Sequence, residues 1–132
     1  VKQMDLEPLP VGYIVVEPGG SVGWVGDANL VPRDRPKIAV GLALAGEFLG
    51  SRLILMDVGS ASKVGPVPPE MVAAVKKHLS IPLIVAGGMK TPGDAKAIAK
   101  AGADIVQIGT MIEKSTDVKS LCQRIVKEIN SA

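Results

Sequence analysis

Leu83-Ile84-Val85-Ala86-Gly87-Gly88-Met89-Lys90-Thr91-Pro92 is the most informative stretch of the chain. An apolar run of strand length meets a glycine pair, and Thr-Pro follows where a helix can begin. One βα unit later the design returns as Asp104-Ile105-Val106-Gln107-Ile108-Gly109-Thr110. Two consecutive parallel strands that each end in glycine expose backbone N–H groups at one rim. Such donors, with a helix start nearby, make a site for a phosphate dianion. Many (β/α)8 barrels hold phosphorylated substrates this way, in the loops after strands seven and eight.

The same alternation extends along the chain. Tyr13 to Val16 reads as a strand, and Pro36 to Leu49 as a helix closed by Gly50. Leu53 to Asp57 is the next strand, and Pro69 to Leu79 the next helix, with Pro68-Pro69 at its start. After Leu83 to Ala86 comes a helix from Thr91 to Ala101, with Gly102 just past its end. Asp104 to Ile108 is the fourth strand. A helical turn at Met111 to Lys114 and a helix from Asp117 to Ile129 complete the chain. Strands alternating with helices argue a parallel sheet.

Four βα units are half of a (β/α)8 barrel. Leu83 to Ala86 has no polar face, so both of its faces ask for cover. In an isolated half barrel the inward residues and two strand edges would meet water, and each exposed large aliphatic side chain forfeits roughly 1.5–3 kcal/mol. The chain also starts at Val1 rather than Met. Residues 1–132 are therefore expected to be the C-terminal half of one (β/α)8 domain, with the N-terminal half elsewhere. A four-strand flavodoxin-like sheet is the alternative, although its usual phosphate loop after the first strand is missing.

Composition limits the function. Hydrophobic residues make up 47% of the 132 positions but aromatics only 2%, so the core must be aliphatic, as suits buried parallel strands. A formal charge of +2 without arginine–aromatic clustering gives no reason to expect nucleic acid. The single Cys122 excludes an internal disulfide and suits a reducing compartment. No leader-like segment and no apolar run of the roughly 18 residues a membrane span needs is evident, so a soluble cytoplasmic protein is expected.

Four blocks resemble the geranylgeranylglyceryl phosphate synthase family in order and spacing. They are Tyr13-Ile14-Val15-Val16-Glu17-Pro18-Gly19-Gly20, Leu55-Met56-Asp57-Val58-Gly59-Ser60-Ala61, Gly87-Gly88 and Gly109-Thr110. That family, with its bacterial heptaprenylglyceryl phosphate relatives, joins sn-glycerol 1-phosphate to a polyprenyl diphosphate. The resemblance implies a prenyltransferase that uses geranylgeranyl diphosphate to form the ether bond of archaeal-type membrane lipids. It assigns the loop Leu55, Met56, Asp57, Val58, Gly59, Ser60 and Ala61 to the glycerol phosphate, with Gly87, Gly88, Gly109 and Thr110 as further contacts. Tyr13 matches the active-site tyrosine. Asp57 stands where the family usually has the longer glutamate, and Thr110 where asparagine is common. The resemblance also implies Mg²⁺, held by an acidic residue and a hydroxyl from the first two strands, neither of which is in this chain. The expected partners are the two substrates and either further copies of the chain or a complementing N-terminal half.

The residues support that chemistry on their own terms. Alkylating a glycerol hydroxyl needs a base such as Asp57 to take or orient the proton. Developing allylic cation character suits the face or phenolic oxygen of Tyr13. The alternatives are another phosphate-binding barrel enzyme (a sugar-phosphate isomerase, an aldolase or an FMN enzyme) or a half barrel inactive until complemented. Each residue also has a structural reading. Gly-Gly after a strand is also a plain tight turn, Asp57 also a solvated loop cap, and Tyr13 also a snorkelling core residue. His78, beside Lys76 and Lys77, reads as solvated. Cys122 shares a helical spacing with Val118, Leu121, Ile125 and Ile129 and reads as buried. Arg33, Arg35, Lys63 and Lys90 are candidate anion contacts. Gly19 to Gly26, four glycines around Trp24, reads as a flexible loop, either a lid over a lipid chain or a surface loop. Pro36 to Leu49, apolar nearly all round, asks for cover on more than one side, from a prenyl groove or a subunit contact.

Overall fold

The computed structural model describes residues 2–132. After a 3₁₀ turn at Lys2–Met4 come β1 (Val11–Val15), α1 (Gly20–Val25), α2 (Pro36–Phe48), β2 (Leu53–Asp57) and α3 (Pro69–Lys76). Then follow β3 (Leu83–Ala86), α4 (Pro92–Lys100), β4 (Ile105–Gln107), α5 (Thr110–Glu113) and α6 (Val118–Ile129). The four strands form one sheet in the order β1-β2-β3-β4, every neighbour parallel.

Strand order and burial together separate a barrel segment from a doubly wound sheet. A flavodoxin-like sheet reverses direction at a switch point and carries helices on both faces. Here the order never reverses, and cover lies on one face only. Successive side chains alternate between faces, so Ile14, Ile54, Met56, Val58, Leu83 and Val85 point one way, into the core shared with the helices. Met71, Val72, Val75 and Ile98 fill that core from α3 and α4. The register sets Tyr13, Leu55, Ile84 and Ile105 in one row on the other face. Tyr13 remains 49% and Ile105 46% exposed, and Leu55 and Ile84 are half-buried. These are four consecutive βα units of a (β/α)8 barrel, and the uncovered row is its inward side. The both-face cover expected for Leu83–Ala86 is thus present on one face alone.

Several elements depart from expectation. Gly19 to Gly26 is not a flexible loop: Gly20–Val25 is helical, and Leu30 packs so closely on Gly23 that a Cβ there would make the leucine side chain shift. Trp24 nevertheless stands 85% exposed at its tip. Cys122 is exposed rather than core, because the buried stripe of α6 narrows to Leu121 and Ile125, with Ile129 half-buried behind them. Val118 lies outside that stripe too. Helix α2 buries only Ala39 and Ala43, leaving Ile38, Leu42, Phe48 and Leu49 open. Val16 leaves the strand and forms a bridge to Val31, which covers the end of the β1 edge. His78 is exposed, its Nδ1 2.9 Å from the carbonyl of Ala74.

Candidate active site at the strand ends

Parallel strands bring all their C-terminal ends to one rim, and loops rich in glycine follow β2, β3 and β4 there. A cavity of about 460 Å³ opens at that rim. Of the residues singled out from sequence, Asp57, Ser60, Ala61, Gly87, Gly88, Gly109 and Thr110 form its wall. Leu55 lies one layer deeper on the inward face, in register with Tyr13. Met56 and Val58 are different. Both are wholly buried on the helix-packed face, so their side chains point away from the cavity and only their backbone is near it. Gly59 contributes through its amide, which donates to Asp57 Oδ1 at 2.7 Å.

Glycine is obligatory at Gly87 and Gly88. Both adopt φ near +80° and +70°, where L side chains are strained. A Cβ at Gly87 would stand 2.5 Å from Asp57 Oδ1, and one at Gly88 would strike the backbone of Gly65 and Pro66. The amides of Gly88, Gly109 and Thr110 have no intramolecular acceptor among the described residues. Buried or ligand-facing amides seek partners, and all three residues line the same cavity. The start of α4 offers less. Asp94 Oδ2 accepts from the amides of Lys90 and Thr91 at 2.8 Å each, while Thr91 Oγ1 caps Asp94, a closed capping box.

Tyr13 and Asp57, two residues apart in register on the same inward face, meet directly. The Tyr13 hydroxyl donates to Asp57 Oδ2 at 2.7 Å. Partial burial, that hydrogen bond and the neighbouring carboxylate push the Tyr13 phenol up to about 12. Tyr13 is therefore a hydroxyl donor at neutral pH and not a phenolate. Asp57 is held on both oxygens, by Tyr13 and by Gly59, which fixes the carboxylate plane at the cavity wall.

Sequence reasoning missed part of the wall. Gln107, Met111, Lys114 and Ser62 line the cavity as well. Gln107 carried a signal: it is the polar member of an otherwise apolar strand, on the row that faces inward. Ser62 carried none. Its Oγ is buried without a hydrogen-bond partner among the described residues. Of the candidate cations, Lys90 lines the cavity while its Nζ donates to the carbonyl of Lys63 at 2.9 Å. Arg35 only meets Asp34, at 3.5 Å on the surface. Arg33 faces carbonyls rather than the cavity. No group of three or more His, Cys, Asp or Glu side chains comes together among the described residues.

Residues 1–130 match the model of the PcrB family. The chain belongs to the PcrB family. Its PcrB relatives include the geranylgeranylglyceryl phosphate synthases of Thermococcus kodakarensis, 48% identical over 130 residues, and Pyrococcus abyssi, 50% identical over 129. The alignments take in 98% of this chain but 51% and 50% of those proteins, so the chain spans about half the length of the relatives it matches. A solved structure superimposes with a TM-score of 0.93 at 43% identity, over 99% of this chain and 53% of the other. That structure is (S)-3-O-geranylgeranylglyceryl phosphate synthase from Thermoplasma acidophilum in complex with substrate sn-glycerol-1-phosphate. The family read from the Tyr13, Asp57 and glycine blocks is thus the family to which this PcrB chain belongs.

Proposed function

We propose that this chain is the C-terminal, glycerol-phosphate-binding half of a (β/α)8 prenyltransferase that joins sn-glycerol 1-phosphate to a polyprenyl diphosphate, geranylgeranyl diphosphate in archaeal-type ether lipid synthesis. The observation that carries this reading is one cavity with unpaired amides on one wall and a fixed carboxylate on another. A phosphate takes the amides of Gly88, Gly109 and Thr110, and the glycerol then extends toward Asp57. Holding the phosphate in this way selects which hydroxyl reaches the prenyl carbon.

The residues share the chemistry as follows. The glycerol oxygen forms a bond to the first carbon of the prenyl chain as that carbon parts from diphosphate. Asp57 receives the hydroxyl proton. Tyr13, kept protonated, donates to Asp57 and holds it in the orientation the proton transfer needs. Its ring, open on the inward face, is placed to meet positive charge developing on the allylic carbon. The Mg²⁺ implied for the family finds no cluster of three or more His, Cys, Asp or Glu among the described residues. Association with a complementing half or with further copies closes the exposed inward row. No helix among the described residues is long and apolar enough to cross a membrane, which accords with work in the cytoplasm.

Amide chemical shifts of the full-length protein test the reading. Adding sn-glycerol 1-phosphate or inorganic phosphate is expected to move Gly88, Gly109 and Thr110, whereas glycerol alone leaves them in place. Shifts confined to other loops would remove this rim from the substrate site.

A further inference from the structure

The loop after β2, residues 59–67, carries the glycine-serine turn at the cavity, yet its backbone is almost unsupported. The last ladder contact before it is Val58 N–H to the carbonyl of Ala86, and the next backbone pair begins at the carbonyl of Pro68. Between them no backbone-to-backbone hydrogen bond of good geometry occurs among the described residues, where the chain makes only turns at Ser60–Ala61 and Lys63–Val64. Gly59, Ala61 and Gly65 all have positive φ, and for Ala61, at 55°, that conformation is intrinsically unfavourable. A segment with few backbone bonds and a strained residue does not hold one shape unaided.

Side chains from elsewhere hold it instead. Asp57 accepts from the Gly59 amide at the loop's start. Lys90 donates to the carbonyl of Lys63. Arg33 does most: its Nη2 donates to the carbonyls of Pro66 at 2.7 Å and Val64 at 3.4 Å, and its Nη1 to that of Glu17 at 3.3 Å. One planar fork thus ties the end of this loop to the connection that leaves β1. Only a guanidinium offers several donors in a fixed plane. The tied segment matters for the anion, because Gly88 rests directly against Gly65 and Pro66. Arg33 itself is not on the cavity wall.

The geometry points to Arg33 as a positioning residue for the phosphate-binding loops, acting through the carbonyls of Val64 and Pro66 and never touching the substrate. This inference rests on the functional reading above. It makes Arg33 a brace for the backbone and not an anion ligand.

The test uses the full-length protein with Arg33→Met, which keeps the stem, and Arg33→Lys, which keeps the charge but loses the fork. Arg33→Met is expected to weaken binding of sn-glycerol 1-phosphate and of inorganic phosphate roughly 5–20-fold, the scale of losing charge-assisted hydrogen bonds. The KM for prenyl diphosphate should stay within about twofold, because the brace serves only the acceptor site. Hydrogen exchange at Gly59, the loop amide held by Asp57, should quicken, with the salt dependence of anion binding unchanged. Arg33→Lys should recover only part of the affinity. Wild-type exchange and affinity in a folded Arg33→Met protein would overturn the inference. So would full recovery by lysine together with a salt slope that changes in Arg33→Met, since that marks a field effect. Should Arg33→Met fail to fold, exchange and affinity in Arg33→Lys decide by the same criteria. A wild-type protein that binds neither anion rejects the functional reading itself, whereas loop exchange still judges the brace.

Discussion

Tyr13 and Asp57 meet through a hydrogen bond of 2.7 Å between side chains of neighbouring strands. Burial is the largest cause of the raised Tyr13 phenol, and the hydrogen bond and charge of Asp57 add to it. A difference ultraviolet titration between the wild type and Tyr13→Phe should place the Tyr13 transition near 12. Asp57→Asn should lower it only part of the way toward 10, the ordinary tyrosine value, because burial remains. The linkage has a definite sign. The folded value lies above the unfolded one, so the stabilisation is full below about pH 10 and disappears as pH rises toward 12. A wild-type transition near 10 would mean that the pair does not form. In the full-length protein Asp57→Asn should lower kcat by roughly 10²–10⁴ if the carboxylate takes the proton. A change confined to the KM of the glycerol phosphate would recast Asp57 as a hydroxyl ligand. Asp57 was legible because it closes a recognisable strand, whereas Tyr13, in the middle of β1, was singled out through the family resemblance. Ser62 and Arg33 were not legible in their roles. One is marked only by burial, and the other reaches two carbonyls of one loop, 31 and 33 residues along the chain.

At the scale of elements, local pattern located all four strands and the longer helices but missed α1. Leu53–Asp57 and Leu83–Ala86 have the bounds expected, because apolar runs bracketed by turn residues leave little choice. Helix α1 failed that logic: glycine-rich sequence has poor intrinsic helicity, and the contact of Leu30 with Gly23 is tertiary. Cys122 failed it too, since spacings of three and four describe a broad stripe while packing against α4 buries a narrower one. One joint between elements was equally invisible. Asp104, just before β4, accepts from Lys76 of α3 and from the amide of Leu83, each at 2.7 Å. Burial alone would raise this carboxyl, but the Lys76 and backbone hydrogen bonds together hold it below 3.8. Its contribution is therefore present at neutral pH and lost as pH falls below that range. Asp104→Ala should destabilise the protein by about 1 kcal/mol at pH 7, a discounted figure for a partly exposed pair. That difference should shrink in denaturant titrations at strongly acid pH. A penalty that persists unchanged there would show that the carboxylate's charge has no part in it.

For the whole molecule, the decisive feature is a sheet covered on one side. Arithmetic on βα units made the half barrel legible, and the unbroken strand order bears it out. What arithmetic left open was which face stays bare, because that depends on register. Val11, Tyr13 and Ile105 lie on the open side with 42%, 49% and 46% exposure. A second apolar area, Ile38, Leu42, Phe48 and Leu49, flanks α2. Exposed apolar area of this kind marks interfaces. Sedimentation of the isolated chain at low concentration should therefore show an associated species, and adding the N-terminal half should convert it into a defined complex. Asp substitution at Ile105 should weaken that complex, whereas the same change at Val126, exposed on α6, should not. A folded monomer that ignores the second half would reject the half-barrel assignment.

The position of Trp24 has a practical consequence for optics. It is the chain's single tryptophan, and it stands on α1 beside a shallow depression lined by Pro18, Gly20 and Leu30. Its emission therefore reports one helix without background from the rest of this chain. A water-facing indole emits toward the red, and an apolar chain laid over it would move the band toward the blue. A prenyl analogue titrated while that band is watched would give, from unlabelled protein, a direct reading of whether lipid passes over α1.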